Sequence, residues 1–423
     1  MIAEELDFLF SLRKHGIKLG LSKMDAFLRV LGQPQERLKI IHVAGTNGKG
    51  SCTSFISSIL IEQGYRVGTY TSPHFVRFNE RMRIGTAKIP DAVVCDFLQQ
   101  HRKYIIREEL TFFEVTTALA FSFFVNENVD FAVIETGLGG RYDATNVCTP
   151  LVSAITTISL EHTEYLGDTI AKIAFEKGGI IKPNVPVCVG LVPEDAETVF
   201  RQISAENDST LFLLHEYYTN DKHMLQLPQF LMTDLASPLQ GEYQFENAAL
   251  ACLTTACLAL EIQEETYVRG LRNVIRNTGL SGRYEVFHEK PYIIFDSAHN
   301  PDGIARLAQE LLRSRKNFDK TTILFTALRD KNIQEMISEF LPVADELYFT
   351  TINFHRALTF SEIACLINEN PEWNCSSVEN PGAFITSYLQ QAGKNDRLVV
   401  TGSMYLLGEI KSFLTHTENK IFI

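Results

Sequence analysis

Apolar runs of strand length alternate with amphipathic stretches of helical spacing along most of this chain. Residues 38–43 are mainly apolar and rich in branched side chains, residues 45–50 place Gly45, Gly48 and Gly50 around Lys49, and residues 52–63 continue with helical spacing. That order reads as strand, glycine loop and helix. A second strand follows at 66–71, then a polar loop at 72–90 carrying Arg77, Arg81 and Arg83. Helical periodicity covers 91–109 and 112–126, and the short apolar run 131–134 ends on Glu135. Further strands are expected at 151–158 and 185–189, with a helix over 169–177 between them. Strands that alternate with helices predict a parallel, doubly wound sheet.

The pattern weakens into short strand-like pieces over 211–237, then becomes strongly helical and alanine-rich over 244–260, with a second helix to about 277. The turn Gly279-Leu280-Ser281-Gly282 marks a domain boundary. Beyond it, strands are expected at 292–296, 321–326, 346–350 and 397–401, each followed by a helical segment. The fold expected is therefore α/β: an N-terminal, P-loop ATPase-type domain with a doubly wound, mainly parallel sheet over 1–280, and a smaller, Rossmann-like C-terminal domain over 285–423. Residues 1–36 read as two short helices around a turn at 15–20, packed on the edge of the first sheet.

Composition narrows the function classes. The 423 residues carry a net charge of -12, which argues against nucleic acid or an acidic membrane as the main partner. An anionic ligand must then be held by a local basic cluster. The eight cysteines include no CxxC pair and mostly sit in apolar segments, as reduced thiols of a cytoplasmic protein would. The N-terminus lacks a basic signal-peptide region, and no apolar run is long enough to span a bilayer.

The glycine loop carries the clearest chemistry. Successive backbone N–H groups, a helix N-terminus and the Lys49 ammonium can converge on a polyphosphate. The spacing departs from GxxxxGK[ST], since only Thr46 and Asn47 separate the first two glycines and Gly50 stands between Lys49 and Ser51. Glu135 ends a strand immediately before Gly137-Leu138-Gly139-Gly140-Arg141, where a carboxylate could hold Mg²⁺ or simply face solvent. Ser72 is either a hard oxygen ligand for Mg²⁺ or a turn serine. His162, flanked by Glu161 and Glu164, follows another strand; a lone histidine is more often structural than a ligand. Lys177 ends a helix, where by itself it would complement the dipole. Asp296 in Asp296-Ser297-Ala298-His299-Asn300-Pro301, together with Arg283, could reach a nucleotide or form a hinge ion pair.

Taken together, the segments Ala44-Gly45-Thr46-Asn47-Gly48-Lys49-Gly50-Ser51, Thr71-Ser72-Pro73-His74, Leu110-Thr111-Phe112-Phe113-Glu114, Glu135 with the glycine-rich run through Asn146, Glu161-His162-Thr163, Glu176-Lys177-Gly178-Gly179-Ile180, Ser281-Gly282-Arg283, Asp296 to Pro301 and Thr401-Gly402-Ser403 resemble the folylpolyglutamate synthase and dihydrofolate synthase family of the Mur ligase superfamily. They run in family order over nearly the whole chain.

The resemblance implies ATP-dependent joining of L-glutamate to a pterin-based carboxylate, dihydropteroate or a reduced folate, through an acyl phosphate. It implies that Asn47, Gly48, Lys49, Gly50 and Ser51 cradle phosphates and that Asn247, Arg283 and Asp296 contact ATP. Ser72, Glu135, His162 and Lys177 would serve two Mg²⁺ ions, Lys177 as a carbamate, with Lys49, Lys177 and His162 at the catalytic centre. Substrate contacts would come from Lys18, Leu19, Gly20, Thr111, Phe112, Phe113, Glu114, Tyr142, Asp143, Ala144 and His299. A cytoplasmic monomer is expected. Two departures stand out: Ser297 replaces a smaller or apolar residue beside Asp296, and Phe112-Phe113 replaces a Tyr-Phe or similar pair. The competing readings are another Mur-type amino-acid ligase, disfavoured because no sugar-nucleotide domain precedes the loop, and a nucleotide-binding switch without ligation.

Overall fold

The computed structural model describes residues 2–16, 20–219, 222–233, 235–354 and 356–421. They form two compact units. The first comprises residues up to Pro73, Phe78–Pro238 and Tyr243–Leu280; the second comprises His74–Arg77, Leu239–Glu242 and the chain from Ser281 onward.

The first unit is built on strands β1 (Ile40–Ala44), β2 (Val67–Tyr70), β3 (Met82–Ile84), β4 (Ala87–Lys88), β5 (Phe131–Glu135), β6 (Val152–Ile155), β7 (Val187–Val189) and β8 (Leu211–Leu213). They lie in the order β4-β3-β2-β5-β1-β6-β7-β8. From β2 to β8 every pairing is parallel, with Val43 opposite Glu135 and Ala44 opposite Ile155. The central strand β1 is buried throughout, as a strand covered on both faces must be. Ile40 feeds a core shared with the helices Ile2–Ser11, Ser22–Val30, Asp91–Arg107 and Phe112–Asn126. Ala44 and Ile155 feed another, shared with Ile170–Lys177 and Glu194–Glu206. The N-terminal helices therefore pack against other helices over one sheet face.

One local expectation is corrected. Residues 72–90, read from sequence as a loop, contain a short 3₁₀ turn at Phe78–Arg81 and the antiparallel strands β3 and β4, which extend the sheet edge beyond β2. Their polar, arginine-containing sequence concealed them because an edge strand keeps one side in solvent. The weakly patterned 211–237 region holds β8 and a small antiparallel sheet of β9 (Tyr218–Thr219), β10 (Met224–Gln226) and β11 (Leu231–Met232).

The second unit contains β12 (Glu285–Glu289), β13 (Tyr292–Phe295), β14 (Thr321–Phe325), β15 (Glu346–Thr350), β16 (Cys375–Val378) and β17 (Arg397–Thr401), in the order β12-β13-β17-β14-β15-β16. All its pairings are parallel except that of β12 with β13. Alternate residues enter opposite cores: Ile294, Ile323, Phe325 and Val399 on one face, Ile293, Phe295, Leu324, Leu398 and Val400 on the other. The period of two in the pleat makes this division, and helices cover both faces. Strands β12 and β16 were not anticipated from sequence; their mostly polar or half-exposed residues carry little apolar signal.

Candidate active site

In the first unit, the carboxyl ends of the central strands gather most of the residues singled out above. Strand β1 runs into Gly45, and the helix Lys49–Glu62 begins four residues later with Gly48 as its N-cap. Gly48 has φ 84, and a Cβ there would collide with the Asn247 amide. Glycine is thus required twice, by backbone conformation and by a neighbouring side chain. Asn247 itself is buried, and its amide donates to Gln244 Oε1 at 3.2 Å.

Strand β6 holds the other side of the loop. Thr46 N donates to Thr157 O at 2.7 Å and Asn47 N to Thr157 Oγ1 at 3.1 Å, while the Thr156 hydroxyl donates to Asn47 O. Thr156 and Thr157 were missed by sequence reasoning; their only signal was their position at the end of an apolar strand. The Ser51 hydroxyl, in the first helical turn, is buried without a hydrogen-bond partner. Such a group needs a polar partner to offset its desolvation.

Two lysines converge on one carbonyl. Lys49 Nζ donates to Gly45 O at 3.0 Å and to Thr46 O at 2.9 Å, and Lys177 Nζ donates to Gly45 O at 2.7 Å. Lys177 ends the helix Ile170–Lys177, yet its buried side chain reaches the end of β1, which is unlike a solvent-exposed cation serving its own helix dipole. Burial, then repulsion from Lys49, lowers its pKa to about 7, against the opposing pull of Glu161 and Asp143.

Interlocking glycine motifs place Lys177. A Cβ on Gly140 would lie 2.6 Å from the carbonyl oxygen of Lys177, so that strand-end loop and helix end can touch only through glycine. Arg141 N donates to Glu176 O at 2.7 Å, and the Asn146 amide donates to both Arg141 O and Gly179 O at 3.0 Å. The glycine-rich sequences 137–141 and 177–179 are therefore two halves of one junction.

Glu135 is buried at the end of β5, beside β1, and its Oε2 accepts from Ser72 N at 3.3 Å. This hydrogen bond brings the β2 and β5 termini together. His162 adopts φ 51, with its side chain 36% exposed and Nε2 3.9 Å from Glu161 Oε1. Among the described residues, no three His, Cys, Asp or Glu side chains gather into a metal-binding group.

The residues expected to meet the pterin separate into several kinds. Asp143 is buried and fully engaged: Oδ2 accepts from Gly137 N at 2.9 Å and Leu138 N at 2.8 Å, and Oδ1 from Thr145 N at 3.0 Å and Thr145 Oγ1 at 2.6 Å. Burial raises its pKa, while these hydrogen bonds oppose the rise. Thr111 and Glu114 form a capping box: Glu114 N donates to Thr111 Oγ1 at 3.2 Å, and Thr111 N to Glu114 Oε2 at 2.7 Å. Phe113 lies against Gly137, and the guanidinium carbons of Arg13 and Arg81 lie 5.0 and 5.1 Å from the Phe112 ring centre. Tyr142 is exposed and Ala144 buried. Gly20 has φ 131, whereas Lys18 and Leu19 lie outside the described residues.

The second unit presents its own strand-end cluster. Asp296 follows β13 and accepts from Tyr284 N at 2.7 Å and Ala298 N at 2.8 Å. Burial raises its pKa, opposed by these bonds, Arg283 and His299. His299 Nδ1 donates to Ser297 O at 2.9 Å, fixing the ring beside the carboxylate loop. The Ser297 hydroxyl is buried without a hydrogen-bond partner.

Residues 43–255, with the glycine loop on its parallel sheet, match the Mur ligase middle domain, and residues 282–404, in the second α/β unit, match the Mur ligase glutamate ligase domain, which makes the chain a Mur-type ligase. Within that class, the chain is 34% identical over 417 residues to the dihydrofolate synthase/folylpolyglutamate synthase of Bacillus subtilis, covering 95% of this chain and 96% of the relative. A folylpolyglutamate synthase structure from Thermotoga maritima superposes with TM-score 0.82 at 32% identity, covering 98% of this chain and 96% of that one. The Escherichia coli FolC in complex with DHPP and ADP gives TM-score 0.88 at 28% identity, with 99% and 98% coverage. The chain belongs to the folylpolyglutamate synthase/dihydrofolate synthase family. It is an ATP-dependent acid–amino-acid ligase that joins glutamate to a pterin-based carboxylate.

Proposed function

We propose that the loop from Gly45 to Ser51 holds the ATP polyphosphate, and that the chain activates dihydropteroate or a reduced folate as an acyl phosphate before adding L-glutamate. The convergence of Lys49 and Lys177 at the end of β1, beside Glu135 at the end of β5, carries this reading. A carboxylate resists direct attack by an amine. Its oxygen therefore attacks the terminal phosphorus of ATP, ADP leaves, and the glutamate amine then attacks the acyl carbon and expels phosphate. Lys49 would neutralise charge as the phosphoryl group moves, while loop amides and the helix N-terminus orient the phosphates.

The donor set fits magnesium. Ser72 and Glu135 offer oxygen at neighbouring strand ends, His162 adds an imidazole, and the unpartnered Ser51 hydroxyl lies in the same loop-to-helix region. Mg²⁺ takes few protein ligands and keeps waters, so a compact cage of acidic residues is unnecessary. When bound, the ions would neutralise phosphate charge. Lys177 matches the family's carbamylated lysine. Its burial and lowered basicity favour the uncharged amine that combines with CO₂, although the ammonium form would repel a metal. Arg283 and Asp296, together with buried Asn247, carry the proposed ATP contacts; His299 carries a proposed substrate contact. Phe112 and Phe113 offer aromatic surface for the acceptor, with Gly20, Tyr142 and Ala144 as further contacts, whereas Asp143, Thr111 and Glu114 organise the loops that present it.

We place the enzyme in the cytoplasm as a monomer. The cysteines are free, as they would be in a reducing compartment.

Phosphate release tests the whole reading. Turnover of ATP by the purified full chain is expected to require both L-glutamate and a pterin-based acceptor; equal turnover without either would reject it. The metal assignment has its own measurement. Glu135→Gln and His162→Ala are each expected to raise the Mg²⁺ concentration for half-maximal activity about 10-fold or more. Superimposable magnesium titrations for wild type and both variants would remove these residues from the metal site.

A further inference from the structure

Cys188 and Cys257 place their sulfur atoms 3.5 Å apart, although 69 positions separate them in sequence. Cys188 is buried in the middle of β7, and Cys257 is half-buried immediately after the helix Glu242–Ala256. Both residues belong to the first unit. We propose that this pair is a site of reversible oxidation, closing to a disulfide when the protein meets a low-molecular-weight disulfide such as oxidised glutathione.

The two thiols are unequal in a way that orders the reaction. Cys257 has partial access to solvent, whereas Cys188 is enclosed. Burial holds Cys188 in its protonated form, and a Cys188 S–H turned toward Cys257 then favours the Cys257 thiolate. Cys257 attacks one sulfur of oxidised glutathione, forming a protein–glutathione disulfide and releasing one glutathione thiolate. Cys188 then loses its proton and attacks the Cys257 sulfur, forming the protein disulfide and releasing the second glutathione. Two protein thiols and one disulfide become one protein disulfide and two glutathione thiols. Neighbouring Cys52 and Cys252 are buried, and burial pushes both thiols well above their ordinary pKa, so they remain unreactive.

The linked segments both brace the glycine loop. Cys188 lies opposite Ala154 in β6, two residues before Thr156, which holds Asn47. Cys257 follows the helix that carries Asn247 against Gly48. A disulfide would draw the two supports together and alter the KM for ATP, an effect that rests on the assignment of the loop to ATP.

The bond and its effect can be measured separately. The folded full chain is equilibrated with oxidised glutathione, alkylated, digested and mapped by mass spectrometry, with turnover followed in parallel. A peptide pair joined through Cys188 and Cys257, reversed by dithiothreitol and lost in Cys257→Ser, is the expected result. Alkylation of both thiols, or a persistent glutathione adduct on Cys257 without closure, overturns the proposal whatever the loop binds. The KM for ATP is expected to change on oxidation of wild type and to recover on reduction, while Cys257→Ser is insensitive; an unchanged KM despite a mapped disulfide overturns the bracing argument.

Discussion

Lys49→Ala is expected to lower kcat/KM for ligation by at least two orders of magnitude while leaving the protein folded. The ammonium spans Gly45 O and Thr46 O at the mouth of the glycine loop and lies in no apolar core. Its removal therefore takes positive charge from the position at which a phosphoryl group would develop negative charge. Loss of one preorganised electrostatic contact of this kind commonly costs about 3 kcal/mol of transition-state stabilisation. Steady-state kinetics with ATP and acceptor varied in turn, alongside chemical unfolding, separates catalysis from stability. A folded Lys49→Ala enzyme with near-normal kcat/KM would dissociate the loop from phosphoryl transfer.

Lys177 gives the sharper contrast. With Lys177 acting as a carbamate, Lys177→Ala is expected to lose about two orders of magnitude or more in turnover, and a short organic acid to restore part of it by supplying an anion in the vacated space. The side chain is buried, and its amine ends 2.7 Å from Gly45 O, so truncation opens room next to the loop. Lys177→Arg is expected to remain inactive because a guanidinium stays positive and cannot form the CO₂ adduct. Turnover measured against acid concentration distinguishes the cases. Wild-type activity in Lys177→Arg, or no recovery of Lys177→Ala with any short acid, would leave the lysine as a cation that supports the Gly45 carbonyl.

Several elements could be read from sequence because their cause is local. Residues 38–51 signal a strand, a glycine loop and a helix through apolar pattern and glycine placement alone, and Glu135 declares itself by ending an apolar strand. The strands β13, β14, β15 and β17 were likewise visible as short apolar runs, while β3, β4, β12 and β16 were hidden by polar or half-exposed residues. Motif order added the family and a list of positions, but it could not distinguish a side chain that meets ligand from one that builds the loop. Asp143 illustrates the difference: the four hydrogen bonds its carboxylate accepts come from Gly137, Leu138 and Thr145.

The sequence by itself determined the alternation of strands and helices, the two-unit plan and the glycine loop, because hydrophobic period and glycine conformation act over a few residues. Only the tertiary structure decided that Lys49 and Lys177 share the Gly45 carbonyl, that Thr156 and Thr157 hold Asn47, and that Cys188 meets Cys257. The first two depend on strand order: β1 lies between β5 and β6, which brings Gly45 to Lys177 and Asn47 to Thr156 and Thr157, each more than a hundred positions away, whereas the cysteine pair joins β7 to the end of the helix Glu242–Ala256 across 69 positions. Burial then changes what the side chains can do, lowering the Lys177 pKa to about 7 although its sequence neighbours alone suggest only an ordinary helix-end cation.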